Sequence, residues 1–274
     1  MKFQYLGTAA AEAVPAVFCT CEVCRRTRQL GGKNIRTRSQ ALIDGKVFLD
    51  FPADTYFHLI KNGIDLTDVK DILITHVHED HFYPVEFFYL TPGFSHPDKD
   101  YRLNVFGSED ILAPIERSGP KGSSFLHPTA VKPFEPFRAG HLTAVALPAV
   151  HGTPHPYFYA LTDGDKSVLY CHDSGIPGEN IFAYLKENGW RFDLVSLDCT
   201  EGSNESIGYN AHMCLGWDKQ MRDKLIASGL ADEKTFFVLN HFSHNGKDAL
   251  YDDFKEIAAK EGFLTSYDGM EIEL

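Results

Sequence analysis

The sequence contains no apolar run approaching the ~20 residues that a bilayer-spanning helix requires, so no membrane partner is expected. It has no low-complexity linker and no internal repeat. Positive charge is in deficit: 26 Lys and Arg against 38 Asp and Glu give a net charge of −12. An acidic surface repels phosphate backbones, and there is no basic arm, so nucleic-acid binding and tRNA processing are not expected as the main task. A small phosphate-bearing substrate remains compatible, because bound metals reverse the field locally. The opening residues, Met1 to Gly7, are too short and too alternating for a signal peptide; they read as a strand, and the cytoplasm is the expected compartment. With 274 residues and 43% hydrophobic content, the expectation is a single domain over residues 1–274.

The densest signal is the run His76-Val77-His78-Glu79-Asp80-His81, which follows Ile72-Leu73-Ile74. Imidazole and carboxylate are ligand types that divalent first-row metals prefer. A strand ending at Thr75 fans these side chains out at the rim of a sheet. Alternating His76 and His78 suit one metal, and Asp80 and His81 reach a second.

The remaining elements read as one continuous alternation. Strands are expected at Lys2–Gly7, Gln40–Asp44, Lys46–Asp50, Asp71–Thr75, Arg102–Phe106, Leu142–Leu147, Tyr157–Thr162, Ser167–Cys171, Leu194–Asp198, Phe236–Asn240, Phe263–Tyr267 and Met270–Leu274. Asp44-Gly45 and Asp268-Gly269 read as hairpin turns. Helices are expected at Cys21–Leu30, Ala53–Asn62, Pro84–Leu90, Glu109–Ser118, Glu179–Asn188, Met213–Ser228 and Lys247–Lys260. The fold class is α/β (α+β): two mixed sheets sandwiched between helices. Aromatic residues at Phe82, Tyr83, Phe87, Phe88 and Tyr89 read as core, or as the wall of a substrate pocket.

Two metals need more ligands than the run supplies, and strand ends elsewhere offer them. His151, Asp173 and His241 are each the metal-type residue just past an apolar strand, with His155 and His172 as competing choices. The expected set is His76, His78 and His151 on one cation, Asp80, His81 and His241 on the other, and Asp173 between them. Nitrogen and oxygen ligation suits Mn²⁺, Zn²⁺ or Fe²⁺. Of six cysteines, Cys19, Cys21 and Cys24 are clustered and read as metal-binding in a reducing compartment; Cys171, Cys199 and Cys214 read as buried small hydrophobes.

His76-x-His78-x-Asp80-His81 with His151, Asp173 and His241 resembles the metallo-β-lactamase superfamily, over nearly the whole chain. That resemblance implies an αββα sandwich with a dinuclear site at one edge. Cys19-x-Cys21-x-x-Cys24, His241-Phe242-Ser243-His244 and the ending Tyr267-Asp268-Gly269-Met270-Glu271-Ile272 are similar to the cyclic-phosphate phosphodiesterases of the bacterial carbon–phosphorus lyase pathway. This finer resemblance implies a structural Zn²⁺ on Cys19, Cys21, Cys24 and His244, a closed tetrahedral set. It also implies that His212, beyond Asp198-Cys199-Thr200, acts as general acid or as a donor to a phosphoryl oxygen.

The expected function is a dinuclear metal-dependent hydrolase acting on a small, in particular cyclic, phosphodiester. A hydroxide between the two metals would attack phosphorus, His212 would protonate the leaving alkoxide, and Asp80 would bind metal and orient the hydroxide. A lactonase or other ester hydrolase on the same metals is the second reading, and a non-catalytic metal-binding sensor the third. The expected partner is the small-molecule diester, and a homodimer is compatible with the sequence.

Overall fold

Residues Lys2–Gly7 form strand β1, whose Phe3 and Tyr5 are fully buried on one face, as a period-two element requires. The structure is a computed structural model that describes residues 1–274. Strands β2 (Gln40–Ile43) and β3 (Val47–Leu49) are antiparallel and are joined at Asp44-Gly45. Both turn residues have positive φ, and Lys46 N donates to Ile43 O at 2.9 Å, as in a primed turn.

The next strands are β4 (Asp71–Leu73), β5 (Leu103–Gly107), β6 (Leu126–Ala130), β7 (Pro136–Ala139), β8 (Leu142–Pro148), β9 (Tyr157–Thr162) and β10 (Ser167–Cys171). They are followed by β11 (Leu194–Asp198), β12 (Phe236–Asn240), β13 (Leu264–Thr265) and β14 (Glu271–Glu273). One seven-stranded sheet has the order β14-β1-β2-β3-β4-β5-β6, and the other the order β13-β12-β11-β10-β9-β8-β7. The helices are α1 (Glu22–Leu30), α2 (Thr55–Asn62), α3 (Leu112–Ser118), α4 (Glu179–Glu187), α5 (Leu215–Ala227) and α6 (Tyr251–Lys260).

Three apolar layers explain the stacking. Phe3, Tyr5, Leu49, Leu73, Leu161, Tyr170 and Val238 fill the space between the sheets. Ile181 and Leu185 of α4, Met221 and Leu225 of α5, and Phe254 of α6 cover the outer face of the second sheet. Phe87, Ile111 and Ile115, with Leu59 of α2, cover the outer face of the first. Each fully buried Phe or Leu contributes ~1.5–3 kcal/mol over an exposed one, so the αββα order follows from where these residues lie in the chain.

Strand direction places the site. β3, β4, β5 and β6 are mutually parallel, and so are β10, β11, β12 and β13. β8 is antiparallel to β9, which is antiparallel to β10, so β8 also runs with β10. The ends of β3, β4, β8, β10, β11 and β12 therefore gather at one rim, where α/β folds carry their ligands.

Several expectations need correction. Asp268-Gly269 is not a hairpin: β13 and β14 belong to different sheets, and the turn carries the chain from one to the other. The Asp268 carboxylate accepts from Thr8 Oγ1 at 2.7 Å and Thr37 N at 2.8 Å, tying that crossing to two distant loops. The helix expected from Lys247 begins at Tyr251, because Lys247 is engaged with Glu201 and Ser203 backbone. Pro84–Leu90 is a 3-10 helix rather than an α-helix, and Glu109–Ile111 forms a 3-10 turn leading into α3. Strands β6 and β7, the edge strands of the two sheets, escaped the sequence reading; prolines at Pro128, Pro133 and Pro136 mask them. Of the 82–89 aromatics, Phe82 and Phe87 are core, while Phe88 and Tyr89 are exposed.

Candidate metal centre

The rim brings together all seven side chains that the sequence singled out for a dinuclear site. One donor atom each from His76, His78, His151 and Asp173 lie within 4.8 Å of one another, as do one each from Asp80, His81, Asp173 and His241. Asp173 belongs to both sets. Its Oδ2 is 3.3 Å from His76 Nε2 and from His151 Nε2, and its Oδ1 is 2.7 Å from His241 Nε2. Within the groups, His81 Nε2 faces His241 Nε2 at 3.2 Å, and His151 Nε2 faces His78 Nδ1 at 3.2 Å.

The contacts to Asp173 are close in distance but poor as hydrogen bonds. His76 Nε2 and Asp173 Oδ1 are buried with no hydrogen-bond partner of acceptable angle. Buried polar atoms left in this way are costly, at ~1–3 kcal/mol each. Lone pairs converging on a common centre are what a cation requires, so the donor set fits two divalent ions. Asp50, Asp173 and His241 also adopt left-handed backbone at φ +67, +46 and +62, a conformation that non-glycine residues hold only when their surroundings impose it.

The second ring nitrogen of most of these imidazoles is held. His81 Nδ1 lies 2.7 Å from Asp50 Oδ2, His241 Nδ1 2.8 Å from Thr200 Oγ1, His151 Nδ1 3.0 Å from Ala211 O, and His76 Nδ1 3.0 Å from Thr75 Oγ1. Such partners fix the ring and turn Nε2 toward the metal position. His78 is exposed and has no contact of this kind. Asp50, Thr200 and Thr75 were missed from the sequence as site residues. The available signal was weak: Asp50 and Asp198 each follow an apolar strand, as the ligands do.

His212 stands beside the pair. Its Nδ1 is 2.9 Å from Asp198 Oδ2 and 3.2 Å from Thr200 Oγ1, and its ring stacks on His241 with centroids 5.7 Å apart. Asp198 is fully buried and also accepts from Thr200 N and Met213 N. Burial opposes the charge on His212, but Asp198 outweighs it and raises the imidazole above its ordinary range.

The two ligand groups differ electrostatically. Burial, reinforced by the charge of His81, holds His76 down to about 4, and burial also lowers His151. Burial likewise penalises charge on His241, yet Asp173 prevails and pushes it up to about 10; His81 is raised by Asp173, Asp80 and Asp50. Asp80 is held well below the carboxylate range by His81 and His241 in spite of its burial.

The family model described as "Anti-Pycsar protein Apyc1" matches residues 38–238, more than half of the chain and a span containing every residue of the paired site except His241. The chain belongs to the family of the anti-Pycsar protein Apyc1. Among curated proteins no sequence matches it. Solved structures similar to this member of the Apyc1 family include a diphosphatase from the PhnP family, at 20% identity and TM-score 0.75 over 100% of this chain and 97% of that one. Zn²⁺-bound PqqB from Methylobacterium extorquens is similar at 14% identity and TM-score 0.73, with 100% of both chains covered. The metallo-β-lactamase fold protein YhfI from Bacillus subtilis is similar at 16% identity and TM-score 0.71, with 99% of both covered. This chain thus has the metallo-β-lactamase fold. No helix is long and apolar enough to cross a membrane.

The Apyc1-family chain has a second ligand cluster away from the rim. Cys19, Cys21, Cys24 and His244 also offer donor atoms within 4.8 Å of one another. His244 Nδ1 is 3.5 Å from Cys21 Sγ and 3.7 Å from Cys19 Sγ, and no disulfide is present. The hydrogen bond from Cys24 N lowers the Cys21 thiol to about 6, whereas burial pushes Cys24 up to about 11. The competing histidines stay out of both clusters. His155 is exposed against Asp110, and His172 is buried with Nε2 on Ser196 Oγ at 2.7 Å. Cys171, Cys199 and Cys214 are buried and free.

Proposed function

We propose that the protein is a metal-dependent phosphodiesterase cleaving a small phosphodiester, cyclic ones in particular. In this reading Asp80, His81 and His241 would hold one cation and His76, His78 and His151 the other, with Asp173 available to both. Cations in those positions supply an activated water and offset phosphoryl charge.

The observation that carries the reading is the Asp198–His212 pair. Asp198 accepts a hydrogen bond from the Nδ1–H at 2.9 Å and keeps the imidazolium favoured, which leaves Nε2 as the acidic end. A protonated donor is most valuable where the leaving group is a poor one, as an alkoxide expelled from phosphorus is. His212 is therefore the general acid, and Asp198 orients it. Asp80, kept as a carboxylate by His81 and His241, would hold metal and orient the attacking water. Cys19, Cys21, Cys24 and His244 would hold a structural zinc, tying the N-terminal loop to the segment following His241.

Hydrolysis assays with bis(4-nitrophenyl) phosphate, alkyl cyclic phosphates and simple lactones test this reading. Turnover of the phosphodiesters with Mn²⁺ or Zn²⁺ present is expected. Preferential opening of the lactones would replace it with the carbonyl-ester reading.

A further inference from the structure

Next to the run His76–His81 lies an open cavity of about 580 Å³, lined by Ala11, Arg38, Val77, His78, Glu79 and Asp80. Its size is that of a small-molecule site. Arg38 is its one permanently cationic side chain, and the ligand set already described does not use it.

Arg38 is held with unusual care for a surface arginine. Its Nε donates to Ala11 O at 2.8 Å, and its Nη1 lies 3.0 and 3.2 Å from the two carboxylate oxygens of Asp54. Its backbone N donates to Asp54 Oδ2 at 2.9 Å. Asp54 is the N-cap residue of α2, where an aspartate ordinarily accepts from its own helix, but it makes no side-chain cap bond there. The carboxylate serves Arg38 instead. Nη2 is left with no partner in the protein, on a guanidinium whose other donors fix its plane.

We propose that Arg38 determines specificity by donating from Nη2 to a carbonyl oxygen of the organic group esterified to the phosphate. This rests on the phosphodiesterase reading. The charge argument selects the acceptor. Asp54 cancels the guanidinium charge, and Glu79 and Asp80 line the same cavity, so a second anion gains little there. A guanidinium donates only, and a carbonyl oxygen accepts only, so an uncharged carbonyl is the matched partner. The metals take the phosphoryl group, and Arg38 reads what the phosphate carries.

The test is titration calorimetry of the metal-loaded protein with two slowly hydrolysed probes. One is uridine 2′,3′-cyclic phosphorothioate. The other is 1-deoxyribose 2′,3′-cyclic phosphorothioate, which lacks the carbonyl-bearing ring. Arg38→Gln should weaken the first about tenfold, the loss expected of one hydrogen bond from a charged donor, and the second less than twofold. Arg38→Lys keeps the ion pair with Asp54, loses the second donor, and should behave in the same way; it serves if the glutamine variant folds poorly. Equal weakening of both probes, no weakening of either, or a wild type that binds neither would overturn the proposal. Turnover of bis(4-nitrophenyl) phosphate by the wild type is measured alongside. If wild type shows no turnover while the carbonyl-dependent loss persists, the phosphodiesterase reading fails and the role of Arg38 stands.

Discussion

Asp50 Oδ2 lies 2.7 Å from His81 Nδ1, and its Oδ1 accepts from both the backbone N and the hydroxyl of Thr75. One carboxylate thus ties the end of β3 to both ends of the ligand run. Asp50→Ala should leave the sheets intact and weaken metal binding ~10–100-fold, as loss of a carboxylate behind a ligating histidine does. Competition with a chelator checks this, and an affinity within twofold of wild type would remove Asp50 from the metal argument.

His212 and Asp198 predict a split by leaving group. His212→Ala should slow hydrolysis of alkyl diesters by ~10²–10⁴-fold while largely sparing 4-nitrophenyl diesters, whose leaving group departs unprotonated. Asp198→Asn removes the charge that raises His212. The acid form would then be lost at lower pH, and the falling limb of the pH–rate profile should shift toward acid. An unmoved limb would separate Asp198 from the acid.

The electrostatic difference between the ligand groups predicts a pH-dependent stability in chelated protein. His241 is raised from an ordinary value near 6.5 to about 10. Its stabilisation is fully present below the unfolded value and is lost as pH rises from about 6.5 through about 10. Chelated protein should therefore melt at lower temperature at pH 10 than at pH 6.5, and metal-loaded protein should show a smaller difference. His76, already neutral at pH 7, releases no proton on binding a cation, whereas His241 must release one. Calorimetry in two buffers of different ionisation heat reads that proton directly.

Cys21→Ser should reduce zinc from about three metals per chain to about two, since three remaining ligands make a poor closed site. Elemental analysis measures it. An unchanged count would dissociate the cysteine cluster from zinc.

The candidate ligands were legible because they stand in a dense run or just beyond buried apolar strands, and parallel strands deliver such residues to one rim. Thr200, Thr75 and Asp50 were less visible. They act on the far side of a ring, and nothing in local spacing distinguishes a hydroxyl that orients His241 from one that faces water. The turn at Asp268-Gly269 misled for a related reason: a turn dipeptide specifies a reversal, but not whether the flanking strands share a sheet. Lys247 shows a third limit. Its place in the chain suits a helix, yet its backbone bonds to Glu201 and Ser203 hold it outside α6.

His78 alone among the candidate ligand histidines has no contact tethering the far side of its ring, and it is exposed to solvent. Its neighbours are clamped, so the site has one hinged side. Exchange should run through it: the cation that His78 helps to hold would leave first and return first. Removal by chelator should then be biphasic, and His78→Ala should abolish the fast phase while leaving the slow one. An enzyme built in this way would take its metal from the surroundings at one position and guard it at the other.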